Sequence, residues 1–255
     1  YAQYRLDPDL QDLHARVPFV TTWDDHEVSG NWAGVDSKFD VPREVFAMRR
    51  SAAFQAYWEA MPFDVPAYRP GEPLQLYRGF SYGSLVDLIV LDTRQYRDDQ
   101  PCGDKPPKAL CEEARSADHT MLGQAQERWL ESRLDSDRGA WPLIVHGVPP
   151  FELDYAPGPD RVVSMDKWDG YPAAQARFNA MLAASRLPPM TLAGDAHAHF
   201  AAARRAPETG NAHGADLVVT SVTSGGDGSD VDDSWTTWQR ENPDLLYHSK
   251  RRGYL

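Results

Sequence analysis

Four short apolar segments in this chain break off directly into residues that carry chemistry. Val17-Pro18-Phe19-Val20-Thr21-Thr22-Trp23 runs into Asp24-Asp25-His26-Glu27, with Asn31 close behind. Leu91 is followed by Asp92-Thr93-Arg94, Val145 by His146, and Ala193 by Gly194-Asp195-Ala196-His197-Ala198-His199. Each segment is the length of a buried strand, and stretches of helical spacing lie between most of them. That alternation predicts a layered α/β domain. Open α/β sheets bind ligands at the carboxyl ends of their strands, so the pattern also predicts one crevice lined by carboxylates, imidazoles, an amide and a guanidinium.

The elements follow from local signals. Asp7-Pro8 reads as a cap and first turn of a helix to about Arg16. A longer helix is expected from Pro42 to Ala60, sharing Phe46, Ala53, Tyr57 and Ala60 on one face, and another from about Thr120 to Asp137. Pro172 opens a helix that ends before Pro188. Besides Val17–Trp23, strands are expected at 74–82, Leu85–Leu91, Pro142–Val145, Met190–Ala193 and Leu217–Thr220, with a long loop from Gly147 to Tyr171. The acidic, Gly-rich stretch 225–233 lacks the spacing of a helix-loop-helix calcium site and reads as a solvated loop.

The 255 residues carry 26 Lys and Arg against 38 Asp and Glu, a formal charge of −12. Such a surface is a poor tracker of nucleic acid, whose non-specific affinity comes from clustered cations. If the substrate carries phosphate, something other than net charge must attract it. The densest apolar run, Leu88-Ile89-Val90-Leu91, is far shorter than a membrane span of roughly 20 residues. The start, Tyr1-Ala2-Gln3-Tyr4-Arg5, has neither Met nor a secretory pattern, which predicts a processed product or a fragment. Cys102 and Cys111 flank a loop with two prolines and a glycine. They can form a local disulfide, implying an oxidising compartment, or remain free thiols.

Oxygen and imidazole donors without cysteine suit hard or borderline cations. Adjacent Asp24 and Asp25 repel one another, a cost that a bound cation removes. Each cluster also has a plainer reading: an exposed acidic turn at 24–27, a simple turn at 194–197, an Asp92–Arg94 ion pair, and His146 as a core histidine.

Three of these segments, Thr22-Trp23-Asp24-Asp25-His26-Glu27-Val28, Leu91-Asp92-Thr93-Arg94-Gln95-Tyr96-Arg97 and Gly194-Asp195-Ala196-His197, resemble in order the signatures of the PhoD-type alkaline phosphatases, a branch of the calcineurin-like metallophosphoesterases. The ending, Asn242-Pro243 through Arg251-Arg252-Gly253-Tyr254, is similar to that family's closing segment. The resemblance implies a four-layer αββα sandwich with two central mixed sheets, here one domain over 1–255, and a centre of Fe3+ and Ca2+ in an exported enzyme. It implies Asp24 and Asn31 as calcium-side ligands, Asp195 and His197 as ligands from the last loop, with His197 on iron, and His26 beside the substrate. Asp25 and Arg94 join His26 as catalytic candidates, Arg94 as a phosphate contact. Val145-His146-Gly147-Val148-Pro149-Pro150 resembles the His-bearing motif of the wider superfamily, which makes His146 a ligand or the support of one.

The family's earliest metal motifs, a cysteine-bearing loop and a Gly-Asp loop with a bridging Asp and a Tyr, precede the Trp-Asp-Asp-His segment, and residues 1–22 supply neither. The expectation is therefore the C-terminal portion of a catalytic domain, with its N-terminal part missing and its other end cut soon after Tyr254, a monomer with little activity by itself, secreted or periplasmic. Its substrates would be small phosphoesters or phosphate-containing polymers, hydrolysed as monoesters or diesters by metal-activated hydroxide. Two rivals remain at this stage. A non-catalytic calcium- or carbohydrate-binding module would use the acidic loops and the eight tryptophans. A glycoside hydrolase would use paired carboxylates and ignore chelators.

Overall fold

A computed structural model describes residues 1–62, 65–104, 106–136, 141–206, 209–223, 228–229 and 233–254. Seven strands form one mixed sheet: β1 (Arg78–Tyr82), β2 (Val86–Val90), β3 (Trp141–Val145), β4 (Met190–Ala193), β5 (His199–Arg205), β6 (Ala212–Val218) and β7 (Leu245–Ser249). Their order is β1-β2-β3-β4-β6-β5-β7. Strands β2, β3, β4 and β6 are mutually parallel, while β1 and β5 run against their neighbours. Among the described residues five α-helices accompany it: α1 (Pro8–Arg16), α2 (Arg43–Ala60), α3 (Gly123–Asp135), α4 (Pro172–Ala183) and α5 (Trp235–Glu241). None is long and apolar enough to cross a membrane.

Local chemistry accounts for most boundaries. The Asp7 carboxylate accepts from the Leu10 amide at 3.0 Å and caps α1, with Pro8 at its first position. Pro172 opens α4 in the same way. The helix α2 buries Phe46, Phe54 and Tyr57, whereas the expected Ala53 and Ala60 stay half-buried beside that stripe.

The expected strand at 17–23 is not one. That segment is extended but joins no ladder; its ties to the sheet are the Thr22 hydroxyl on the Leu91 carbonyl and Arg78 on the Thr21 carbonyl. Leu74 and Leu76 are buried yet also outside the strand, because the Gln95 side chain takes the partner's place, accepting from the Leu74 amide and donating to its carbonyl. Strands β5 and β7 and helix α5 were not legible. The β5 sequence, His-Phe-Ala-Ala-Ala-Arg-Arg, has helical propensity and is strand only because β6 and β7 pair with it on both sides. The acidic stretch 225–233 lies largely outside the described residues.

The two faces of the sheet differ. Ile89, Ile144 and Thr191 lie in register on one face and are fully buried, and α3 and α4 cover that side through Leu130, Phe178 and Leu182. On the other face Leu88, Leu143, Val145 and Leu192 are only half-buried, and Trp141 and Met190 are 51% and 42% exposed. The described residues thus form a single sheet covered by helices on one face, and the second sheet of the expected four layers is not among them. A second core of Trp23, Trp32, Phe46, Phe54, Tyr57, Leu74 and Leu76 packs the 23–32 turn against α2. A third, around Phe200 and Val218, packs α5 at the β5 end.

Gln126 of α3 fixes where β2 ends. Its side chain accepts from the Asp92 amide at 2.8 Å and donates to the Asp92 carbonyl at 2.8 Å. Replacing Gln126 with Leu leaves both backbone groups buried and unpaired at about 1–3 kcal/mol each. We expect a loss near 3 kcal/mol, read as a lower urea midpoint with an unchanged m-value.

Candidate active site

The crevice forms where three neighbouring parallel strands end. The ladder runs past the strands into the loops: the Leu91 amide donates to Val145, His146 to Leu192, and Gly194 to Gly147. These bonds place Asp92-Thr93-Arg94, His146-Gly147 and Gly194-Asp195 side by side. The 22–27 turn closes the fourth side, giving an open cavity of about 270 Å3 whose lining includes Asp24, Glu27, His146, Gly147, Gly194 and Asp195. Gly147 is needed for the close approach, since a Cβ there would sit 2.7 Å from Asp24 Oδ1 and 2.9 Å from the Thr93 hydroxyl.

Arg94 is the hub. It is wholly buried, and its donors go to carboxylates: Nε to Asp24 at 2.7 Å, Nη1 and Nη2 to Asp166 at 2.8 and 3.0 Å, with Asp195 at 3.8 Å from Nη2. Arg97 adds a second guanidinium to Asp166, and the Lys167 ammonium lies 3.5 Å from Asp195. Three carboxylates are therefore matched by three cations. The sequence pairing of Asp92 with Arg94 does not form as an ion pair; Asp92 instead accepts the backbone N–H groups of Arg94 and Gln95 and caps that turn. Arg94, expected at the substrate, is placed to hold the carboxylates that line the crevice.

The electrostatics follow from burial. Asp24 is pushed above the ordinary carboxylate range by desolvation, which the neighbouring Arg94 only partly offsets. Burial raises Asp166 too, but the Arg97 and Arg94 charges outweigh it and hold that carboxyl below the usual range. His146 is pushed down to about 3 by burial, so its imidazole is neutral. It sits edge-on to Trp168 and Phe178, and neither ring nitrogen has a well-formed hydrogen bond, though the Val148 backbone lies near.

The other expected residues occupy a second tier. Asp25 is buried and accepts the Asn31 amide at 2.8 Å, closing the 25–31 turn. His26 is 83% exposed, 3.7 Å from the Asp25 carboxylate. Asn31 is buried, with its side-chain nitrogen on both oxygens of Asp104 at 2.7 and 2.8 Å. His197 is exposed, two residues beyond Asp195. Asn31, Asp195 and His197 all hold left-handed backbone, with φ of 51°, 65° and 52°. Non-glycine residues in that region are uncommon and cluster at functional sites.

The structure therefore brings Asp24, Arg94, Asp195 and His146 together and keeps His26, Asp25 and Asn31 on the adjoining turn. Among the described residues no group of three or more His, Cys, Asp or Glu is close enough to hold a metal ion unaided. The donor chemistry nevertheless fits a hard or borderline cation: three carboxylates, Asp24, Glu27 and Asp195, and a neutral imidazole without a well-formed hydrogen bond line the same crevice. Sequence reasoning missed Asp166, Lys167, Arg97, Gln100 and Asp104. The one available signal was the i, i+3 spacing of Arg94 and Arg97, two guanidinium groups that need a shared acid. The tryptophans expected as a sugar platform include Trp23, Trp32 and Trp168, which are core residues.

Removing the shared acid tests the hub. Asp166→Asn leaves Arg94 and Arg97 underpaired in a buried site and should cost about 3–5 kcal/mol. Because the native Asp166 carboxyl lies below its unfolded value, its contribution is present above about pH 4 and is lost as pH falls toward the native value. The variant should lose stability at pH 7 and show a smaller further loss than the parent on acidification, as read by thermal melts at pH 7 and pH 3.

Comparison with known proteins places this geometry. The family model described as PhoD-like phosphatase matches residues 1–255. Alkaline phosphatase D of Bacillus subtilis (strain 168) is 39% identical over 261 residues, covering 100% of this chain and 44% of that protein. The solved chain titled "Structure of PhoD" superposes with a TM-score of 0.94 at 38% identity, over 99% of this chain and 49% of that one. The chain thus spans about half the length of these relatives.

Proposed function

Because this chain belongs to the PhoD-like phosphatase family, we propose that it carries part of the catalytic centre of an alkaline phosphatase or phosphodiesterase that hydrolyses phosphomonoesters and phosphodiesters. The observation that carries the reading is the meeting of Asp24, Arg94, His146 and Asp195, drawn from four separate segments, at the carboxyl ends of β2, β3 and β4. Asp24 and Asn31 on the calcium side, and Asp195 and His197 from the last loop, with His197 on iron, are the proposed ligands, and His146 is a further donor. Such ions, when bound, acidify water to hydroxide near neutral pH and neutralise phosphoryl charge, which explains how an acidic protein attracts an anion.

The chain's own residues do the positioning. Arg94 and Lys167 hold Asp24 and Asp195 at the crevice wall. His26, exposed and with the Asp25 carboxylate 3.7 Å from its ring, would stabilise charge or give a proton to the departing oxygen. The Cys102–Cys111 disulfide supports an oxidising, secreted or periplasmic setting.

In the complete natural protein, a bis-aryl phosphate should be turned over, the rate should vanish with a strong chelator, and calcium and iron should restore it. Asp195→Ala should lower kcat/KM by at least about 100-fold while the fold stays largely intact; the melting temperature should fall because Lys167 loses its partner, so turnover is read at a temperature where the variant remains folded. Near-normal turnover in that variant, or indifference to chelator, would sink the assignment.

The half-buried face bearing Leu88, Leu143, Val145 and Leu192 supports the four-layer arrangement, with the second sheet supplied by the remainder of a single domain. Little activity is proposed for the 255 residues alone. In the complete protein Leu143→Lys should cost at least about 2 kcal/mol, since an ammonium would be buried unpaired. A change within about 0.5 kcal/mol would show that water covers this face.

A further inference from the structure

The loop closed by the disulfide reaches the candidate site through one carboxylate. Cys102 and Gly103 adopt successive left-handed conformations, φ 60° and 73°, and turn Asp104 inward. The Lys108 ammonium ties the carbonyls of Cys102 and Gly103 at 3.0 and 3.1 Å, and Lys108 pairs through its backbone with Val163. Asp104 receives the Asn31 side-chain nitrogen on both oxygens, with the Lys38 ammonium 3.9 Å away as its counter-charge.

We propose that Asp104, held by the Cys102–Cys111 bridged loop, is the positioning residue for Asn31. A carboxylate accepts but cannot donate, so it selects the nitrogen end of the Asn31 amide and leaves the oxygen end as the acceptor facing away. No described residue donates to that oxygen. The backbone of Asn31 is fixed independently, its amide by Asp25 and its carbonyl by Gln100 at 2.7 Å. Gln100 also donates to Asp166, the acid that pairs with Arg94, so the amide is oriented within the frame that orients Asp24 and Asp195. The disulfide loop therefore controls how well Asn31 presents an oxygen to a cation. The inference rests on the reading of Asn31 as a calcium-side ligand.

Calcium affinity by titration calorimetry, in the complete protein, tests this alongside the NMR signals of the Asn31 side-chain amide. Asp104→Ala should weaken calcium binding about 10-fold or more and collapse the separated Asn31 amide pair, while the melting temperature changes little. Asn31→Asp alone should also weaken it, by opposing two carboxylates. Combining Asn31→Asp with Asp104→Asn restores one donor against one acceptor and should recover the affinity. Reducing the disulfide should mimic Asp104→Ala, and reoxidation should reverse it. A parent protein that binds calcium while Asp104→Ala binds it within twofold overturns the inference alone. A parent that neither binds calcium nor hydrolyses the bis-aryl phosphate overturns the functional reading and this inference with it.

Discussion

A guanidinium with no exposure to water has to be compensated, and Arg94 is compensated from three separate parts of the chain. Asp24 comes from the N-terminal turn, Asp166 from the loop after β3, and Asp195 from the loop after β4. Removing a buried partner costs several kcal/mol, so these loops cannot drift apart without leaving a charge stranded in low dielectric. The crevice is thus a consequence of ion pairing in the interior. Its carboxylates are gathered and oriented by the fold itself, each against a buried guanidinium or ammonium.

The backbone supports the same arrangement. Parallel strands deliver their polar successors to one edge, and Gln126 and Gln95 replace ladder partners where the strands stop. Gly147 allows Asp24 and Thr93 to approach within a distance that any side chain would occupy. Asp25, expected among catalytic groups, shows how one residue can serve two ends: it closes the turn that places Asn31 and also lies beside His26.

What could be read in the sequence was whatever is decided locally. The cap at Asp7, the helix-opening Pro172, the apolar runs of β2, β3 and β4, and the polar residues just beyond them all depend on neighbours within a few positions. Arg94, His146 and Asp195 follow strands that the sequence shows, and the structure brings them together with Asp24, although the segment before Asp24 is not a strand. The rest depended on partners far along the chain. The alanine-rich β5 is strand because its neighbours pair with it, and 17–23 is not, because none does. Asp104 and Asp166 sit in loops without periodicity, and their roles exist only through Asn31 and Arg94, 73 and 72 positions away.

The left-handed backbone at Asn31, Asp195 and His197 carries a cost of about 1–2 kcal/mol per residue relative to glycine. At Asn31 and Asp195 that cost is offset by the side chains' own partners, Asp104 and Lys167, whereas no described residue supplies such an offset at exposed His197. A library selected only for heat tolerance would drift toward glycine at His197 and keep the other two. Conversely, a lineage that keeps His at such an angle is revealing what its selection rewards.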